Sequence, residues 1–217
     1  MLQVCWSPKG GSGTSVVAAA IAAQSAAAGN ETLLVDLAGD QSAIFAVAEG
    51  EGIGDWFAAA DEVGLDSLRS LEVEVVPGLR LLRRGAAPAG QWSAERMAVA
   101  MTLFAGRSDV VVVDCGREPL GSLPAGAATT MVTRACYLAL RRVRDERDPS
   151  AHVVLIEEPG RALSRRDIAA AVGEIDVVIP WDPAVARAVD AGMLATRVPR
   201  SLRPLRRLAE SSGRVRS

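Results

Sequence analysis

The chain has 217 residues, of which 49% are hydrophobic and only 4% aromatic, so it can bury one good core filled mainly by Ala, Val and Leu. Residues 1–133 carry eight basic and fifteen acidic groups and residues 134–217 carry sixteen and eleven, which leaves the second stretch able to face an acidic partner. No apolar run is long enough to cross a bilayer and the first residues enter a strand directly, so a soluble cytoplasmic protein is expected, while Cys5, Cys115 and Cys136 are too scattered for a zinc site.

Leu2 to Trp6 reads as a buried strand and the alanine-rich run Val16 to Ala28 as a helix. Between them lies Ser7-Pro8-Lys9-Gly10-Gly11-Ser12-Gly13-Thr14-Ser15. A glycine turn joining a strand to a helix lets several N–H groups and the positive helix end converge on one anion. A flexible turn is the plainer alternative, but composition favours phosphate. Lys9 is the one lysine in a chain with 23 arginines, and a compact ammonium suits a phosphate.

Pro8 to Ser15 resembles the deviant Walker A box of the ParA/MinD ATPases, x-Lys-Gly-Gly-x-x-Lys-[Ser/Thr], at every fixed position but one. The resemblance implies that Gly10, Gly11, Ser12, Gly13 and Thr14 surround the phosphates of ATP or ADP. It also implies that Lys9 completes the site across a nucleotide-sandwich dimer and that Ser15 ligates Mg²⁺. Thr14 is the departure: it stands where the ordinary phosphate-loop lysine belongs. Losing that charge-assisted contact costs about 1.5–3 kcal/mol, roughly ten- to a hundred-fold or more in affinity.

Thr32 to Leu37 reads as a second buried strand. The family ends this strand in Asp-x-Asp, whose acids organise Mg²⁺ and the attacking water; Asp36 matches the first acid and Ala38 occupies the place of the second. Two readings stand for Asp40: a substitute acid if the loop bulges, or the cap of a helix over Gln41 to Glu49. Short helices are expected between Gly50 and Ser70, with Trp56 and Phe57 read as core rather than a partner-facing patch. Glu72 to Val76 and Leu79 to Leu82, split by Pro77-Gly78, read as a hairpin, and Ser93 starts a helix running to Ala105.

Asp109 to Asp114 contains four consecutive valines, which need both faces buried and so mark a central parallel strand. Its terminal carboxylate falls at the edge where α/β sites lie. This strand resembles the family's Walker B strand, with Asp114 matching the acid that holds the Mg²⁺ shell through water; Cys115-Gly116-Arg117-Glu118-Pro119 is compatible with the switch segment that follows. Three strand-then-helix units come next: Thr129–Thr133 with Tyr137–Arg147, His152–Ile156 with Leu163–Val172, and Ile175–Ile179 with Ala184–Leu194. This alternation predicts a doubly wound, mostly parallel α/β sheet flanked by helices. His152 has no partner motif and reads as structural.

In the family the loops after the last two strands flank the adenine, which makes Arg161 and Asp182 candidates for the base pocket; ordinary helix-start residues are the alternative. Leu202, Leu205 and Leu208 with Arg200, Arg203, Arg206 and Arg207 read as a last helix packed on the domain rather than a membrane helix, because Pro204 interrupts a narrow apolar side. The arginines at 141, 142, 144, 147, 161, 165 and 166 could grip DNA nonspecifically, but interleaved acids at 145, 146, 148 and 167 favour a solvated helix face.

The expected organisation is one ParA/MinD-like domain over residues 1–210 with a basic, frayed tail at 211–217. In texture it is nearest the CpaE/TadZ-like or septum-site-determining members. Two functional readings remain open. One is an ATP- and Mg²⁺-binding switch, with Lys9 and Asp36 serving hydrolysis and Ser15, Asp36 and Asp114 the metal, which dimerises and places a chromosome, division site or pilus machinery. The other is a pseudo-ATPase scaffold with weak or lost hydrolysis.

Overall fold

The computed structural model describes residues 1–59, 65–88, 92–117, 121, 123–146 and 150–211. The expected tail beyond Ser211, Glu118-Pro119 of the segment after Asp114, and Arg147 with Asp148 lie outside them.

Eight strands form one sheet: β1 (Leu2–Trp6), β2 (Thr32–Asp36), β3 (Glu72–Val76), β4 (Leu79–Leu82), β5 (Val110–Asp114), β6 (Ala128–Arg134), β7 (His152–Glu157) and β8 (Val177–Pro180). Their spatial order is β3-β4-β2-β5-β1-β6-β7-β8. Every pairing is parallel except β3 with β4, the hairpin at one edge. The hairpin and the buried strands match the sequence expectation, and the sheet has the doubly wound, mostly parallel form.

The valine run of β5 shows why a central parallel strand needs continuous apolar sequence. Val111 and Val113 point to one side with Leu33, Val35, Val153 and Leu155; Val112 points to the other with Leu34, Val132 and Val154. Helices cover both sides. On the first lie α3 (Ile53–Ala58), α5 (Ala94–Ala105), α6 (Tyr137–Glu146) and α7 (Arg165–Val172), contributing Trp56, Phe104, Val143 and Ile168. Trp56 and Phe57 are buried, as expected, and meet edge to face at 5.5 Å. The short α4 (Leu65–Ser70) adds Leu68 to this side.

The second side is built on α1 (Thr14–Ala27). Val17 to Ala23 are all buried, so this helix is apolar all round, as a helix enclosed on every side must be. Alanine permits that close approach. The outer face of α1 meets a 3-10 turn over Arg200–Leu205 and then α9 (Arg206–Ser211), whose Leu202, Leu205 and Leu208 are buried against it, while Gln24 Nε2 donates to Leu202 O at 3.1 Å. The three leucines therefore pack on the domain, and Pro204 sits inside the 3-10 turn instead of breaking an α-helix. Among the described residues no helix is long and apolar enough to cross a membrane.

Two helices stop several residues short of the sequence expectation, and the one expected over Ala184 to Leu194 ends at Asp190. The helix expected over Gln41 to Glu49 is a single turn, α2 (Gln41–Ile44), because Phe45 ends it and Ala46 turns left-handed at φ 52. The last long helix, α8 (Pro183–Asp190), starts on Pro183, which suits a position whose N–H has no intrahelical partner.

Candidate nucleotide and metal site

The chain leaves β1 between β5 and β6, the point where the order of the strands reverses, and ligands bind open α/β sheets beyond the carboxyl ends at such a point. Residues 7–13 form the glycine turn there. Gly11 (φ 76) and Gly13 (φ 92) both hold left-handed backbone that side chains rarely adopt. A Cβ at Gly13 would find only Ile156 Cγ1, at 3.9 Å, so conformation rather than space demands glycine.

Hydrogen bonds fix the turn from beneath. Ser12 Oγ donates to Lys9 O at 2.6 Å, Ser7 Oγ lies 3.0 Å from Lys9 O and 3.2 Å from Gly116 O, and Arg142 Nη1 donates to Pro8 O at 3.2 Å. The Pro8 and Lys9 carbonyls are thus held by side chains of the protein. No side chain caps the N-terminus of α1, whose first N–H groups have no partner within a helix and are available to an anion. Thr14 opens that helix, 4% exposed and uncharged.

The turn forms one wall of a cleft of ≈ 990 Å³. Gly10 to Val16, Ala38, Asp40, Trp92, Met97 and Gly116 contribute to its lining, together with three arginines the sequence did not single out: Arg84, Arg117 and Arg134. Each arginine follows or ends a different strand, so linear spacing carries no signal that they meet. Arg134 is tied by Nη1 to Glu158 Oε1 at 2.7 Å, and the Arg84 guanidinium stands over Trp92 at 5.6 Å.

Behind the lining, β2 and β5 run side by side so that Asp36 and Asp114 are register partners, and Cys5 of β1 pairs Asp114 on its other side; both acids are buried and, unlike Asp40, neither lines the cleft. Asp36 holds its own loop: Oδ1 accepts from Gly39 N at 2.6 Å and Oδ2 from Gln41 N at 2.9 Å. Burial pushes its carboxyl up to about 6, and those two N–H bonds only partly oppose the rise. Asp114 is likewise raised by burial, against hydrogen bonds from Gln41, Ser15 and Gly116. The largest contributions to both shifts come from burial, hydrogen bonds and neighbouring acids.

Gln41 joins the acids to the loop, its Nε2 donating to Asp114 Oδ2 at 2.7 Å and to Ser15 O at 3.0 Å. It is fully buried, and nothing in its sequence context pointed to it. Ser15 Oγ donates to Asp40 Oδ2 at 3.1 Å, while Asp40 makes no side-chain capping bond to α2. The capping role weighed for Asp40 is thus not what its side chain does.

A serine hydroxyl with carboxylate oxygens is the hard oxygen set that suits Mg²⁺, so these residues fit that ion. Among the described residues no three His, Cys, Asp or Glu cluster as a self-sufficient metal cage.

The remaining candidates lie elsewhere. The Lys9 side chain is half-buried, and its ammonium lies 3.5 Å from Gly10 O in a contact open to solvent. Arg161 reaches Glu158 through Nε at 2.7 Å, and Asp182 caps α8 by accepting from Ala184 N at 2.8 Å and from Ser201 Oγ at 2.8 Å. Neither lines the cleft. His152 Nδ1 is 2.9 Å from Asp176 Oδ1, a structural pairing.

A parallel sheet carrying a glycine turn at the end of β1 and acids at the ends of its two neighbours on one side is the fold of the ParA/MinD P-loop ATPases. The chain matches a ParA family ATPase from Chlorobium tepidum over 96% of its own length and 98% of the other's, at TM-score 0.73 and 23% identity. It matches the septum site-determining protein MinD complexed with Mg-ADP from Pyrococcus horikoshii over 97% and 94%, at 0.73 and 17%. It also matches a MinC:MinD cell division protein complex from Aquifex aeolicus over 96% and 95%, at 0.66 and 20%. No protein-family model and no curated protein matches the chain.

Proposed function

We propose that this protein is a nucleotide-dependent switch of the ParA/MinD type that binds ATP or ADP with Mg²⁺ in the cleft. The observation that carries the reading is the glycine turn, held by its own hydroxyls against the uncapped N-terminus of α1, directly above two buried strand-end acids. In this reading residues 10–15 cradle the phosphates and Ser15, Asp36 and Asp114 hold the ion and its water shell; Arg161 and Asp182, candidates for the base pocket by position in the family alone, lie outside the cleft lining. Bound Mg²⁺ would neutralise phosphate charge. The exposed ammonium of Lys9 is free to reach a second copy, which supports a homodimer formed on nucleotide. The neighbour that assembles with MinC supports a protein partner, and the septum-site and cell-division neighbours support placement of a cargo such as a division site; a chromosome and pilus machinery are the other cargoes of this proposal, and rest on the sequence resemblance alone.

Arg161 and Arg165 are paired with Glu158 and Glu157, which favours a solvated helix face over a DNA grip. A pseudo-ATPase scaffold is the second reading, and specific observations favour it. Thr14 brings no charge, Ala38 brings no second acid, and Asp36 spends both oxygens on its own loop. Phosphate release and light scattering with Mg-ATP separate the two. The switch gives a dimer with ATP that Lys9→Ala abolishes, and slow turnover; the scaffold gives no release above the rate of free ATP.

A further inference from the structure

The nucleotide reading leaves one carboxylate without a role. Asp40 opens α2 but sends its side chain away from the helix, so that Oδ2 lies 3.1 Å from Ser15 Oγ. Asp36, the acid that the sequence aligns with the metal, has both oxygens held by Gly39 and Gln41 N–H. The Ser15 hydroxyl also acts on Asp114, but Asp40 is the one of these three acids that lines the cleft. Two neighbouring ligands of one octahedral Mg²⁺, each at about 2.0–2.1 Å, stand about 3.0 Å apart, so the observed separation is one a shared cation would need.

A buried amide holds the neighbouring groups in place. The Gln41 side chain is fully buried and clamped between Asp114 and Ser15 through Nε2, yet its Oε1 is buried with no donor. That oxygen has no opening to the cleft, so Gln41 serves to hold Ser15 and Asp114 in place.

We propose that Asp40 is a direct carboxylate ligand of the divalent cation, adjacent to Ser15 in the coordination shell, and replaces from two residues further on the acid missing at Ala38. The proposal rests on the nucleotide–Mg²⁺ reading above. In the absence of metal, the Ser15 hydroxyl proton occupies the space between the two oxygens.

The test is titration of wild type, Asp40→Ala and Asp40→Asn with ADP, in Mg²⁺ and in EDTA. For wild type, Mg²⁺ tightens ADP at least tenfold; for both variants that factor falls toward one, while affinity in EDTA is kept or improved because a negative charge beside the phosphates is gone. Retained binding in EDTA shows that the variants fold. Asp40→Cys then regains the metal factor with Cd²⁺ but not with Mg²⁺, as a soft thiolate ligand requires.

Variants that keep the wild-type Mg²⁺ factor overturn the assignment of Asp40 and leave the nucleotide reading standing; a wild type that binds ADP equally with and without Mg²⁺ overturns that assignment together with the Mg²⁺ part of the reading, and leaves only nucleotide binding standing. An Asp40→Cys that Cd²⁺ does not rescue overturns direct ligation, leaving a hydrogen bond that merely holds Ser15. A wild type that binds no ADP under either condition overturns both.

Discussion

Thr14→Lys binds ADP ten- to a hundred-fold more tightly than wild type. Position 14 begins α1, directly after the left-handed Gly13, and faces the cleft from the turn that presents its amides. A lysine there adds a charge-assisted hydrogen bond to a phosphate, about 1.5–3 kcal/mol, on top of the backbone contacts already in place. The same change has a cost without ligand. Thr14 is 4% exposed, so a lysine must extend into the cleft beside the loop or lose hydration, and the apo variant melts below wild type. Calorimetric titration and thermal melting check both parts: the variant gains affinity and recovers its melting temperature when ADP is added. Equal affinities would show that the charge missing at Thr14 is not what limits binding.

Arg107→Ala destabilises the fold by about 3 kcal/mol, which lowers the melting temperature by roughly 6–12 °C for a chain of this size. Arg107 is 1% exposed and joins Glu72 of β3 (Nη1 to Oε1, 2.7 Å) to Asp109 just before β5 (Nη2 to Oδ2, 2.7 Å). Removing it leaves two largely buried carboxylates facing each other. Arg80, which bridges the same pair at 3.2 and 2.7 Å, offsets part of the loss and keeps the cost at the lower end for a broken buried pair.

Burial alone would raise the Asp109 carboxyl, but hydrogen bonding and charge from Arg107, then the charge of Arg80, hold it below its ordinary value. A lowered carboxyl contributes stability above its unfolded value and loses it as pH falls through the folded one, so the gap between wild type and variant narrows in acid. Denaturant unfolding at pH 7 and pH 3 reads this directly. None of these four residues lines the cleft, so the variant keeps wild-type affinity for ADP below its melting range.

What was legible in the sequence follows from what each part of the chain must satisfy. A parallel strand buried on both faces has to be apolar throughout, so β1, β2 and β5 announced themselves, and the carboxylates at the ends of β2 and β5 marked the functional edge. The glycine turn was legible because left-handed backbone at Gly11 and Gly13 restricts the residue type.

Contacts made by folding were not legible. The sequence offered Asp40 as either a cap or an acid, and only the path of the loop, fixed by Asp36 holding Gly39 and Gln41, swings it onto Ser15. Gln41 carries no motif, and its role exists only because β2 and β5 are neighbours. Arg84, Arg117 and Arg134 come from segments far apart in the chain that share a cleft. The expected helix after Gln41 overran because hydrophobic spacing continued past Phe45, whereas a left-handed Ala46 ends the turn.

The central claim is that the turn between β1 and α1 binds through phosphate. Titrating wild type in Mg²⁺ with ADP and, separately, with adenosine isolates that contribution. ADP binding at least a hundred-fold tighter than adenosine is the result this account predicts, since amides, Ser15 and the cation all act on the phosphates. Equal binding of the two, or binding of neither, would contradict it.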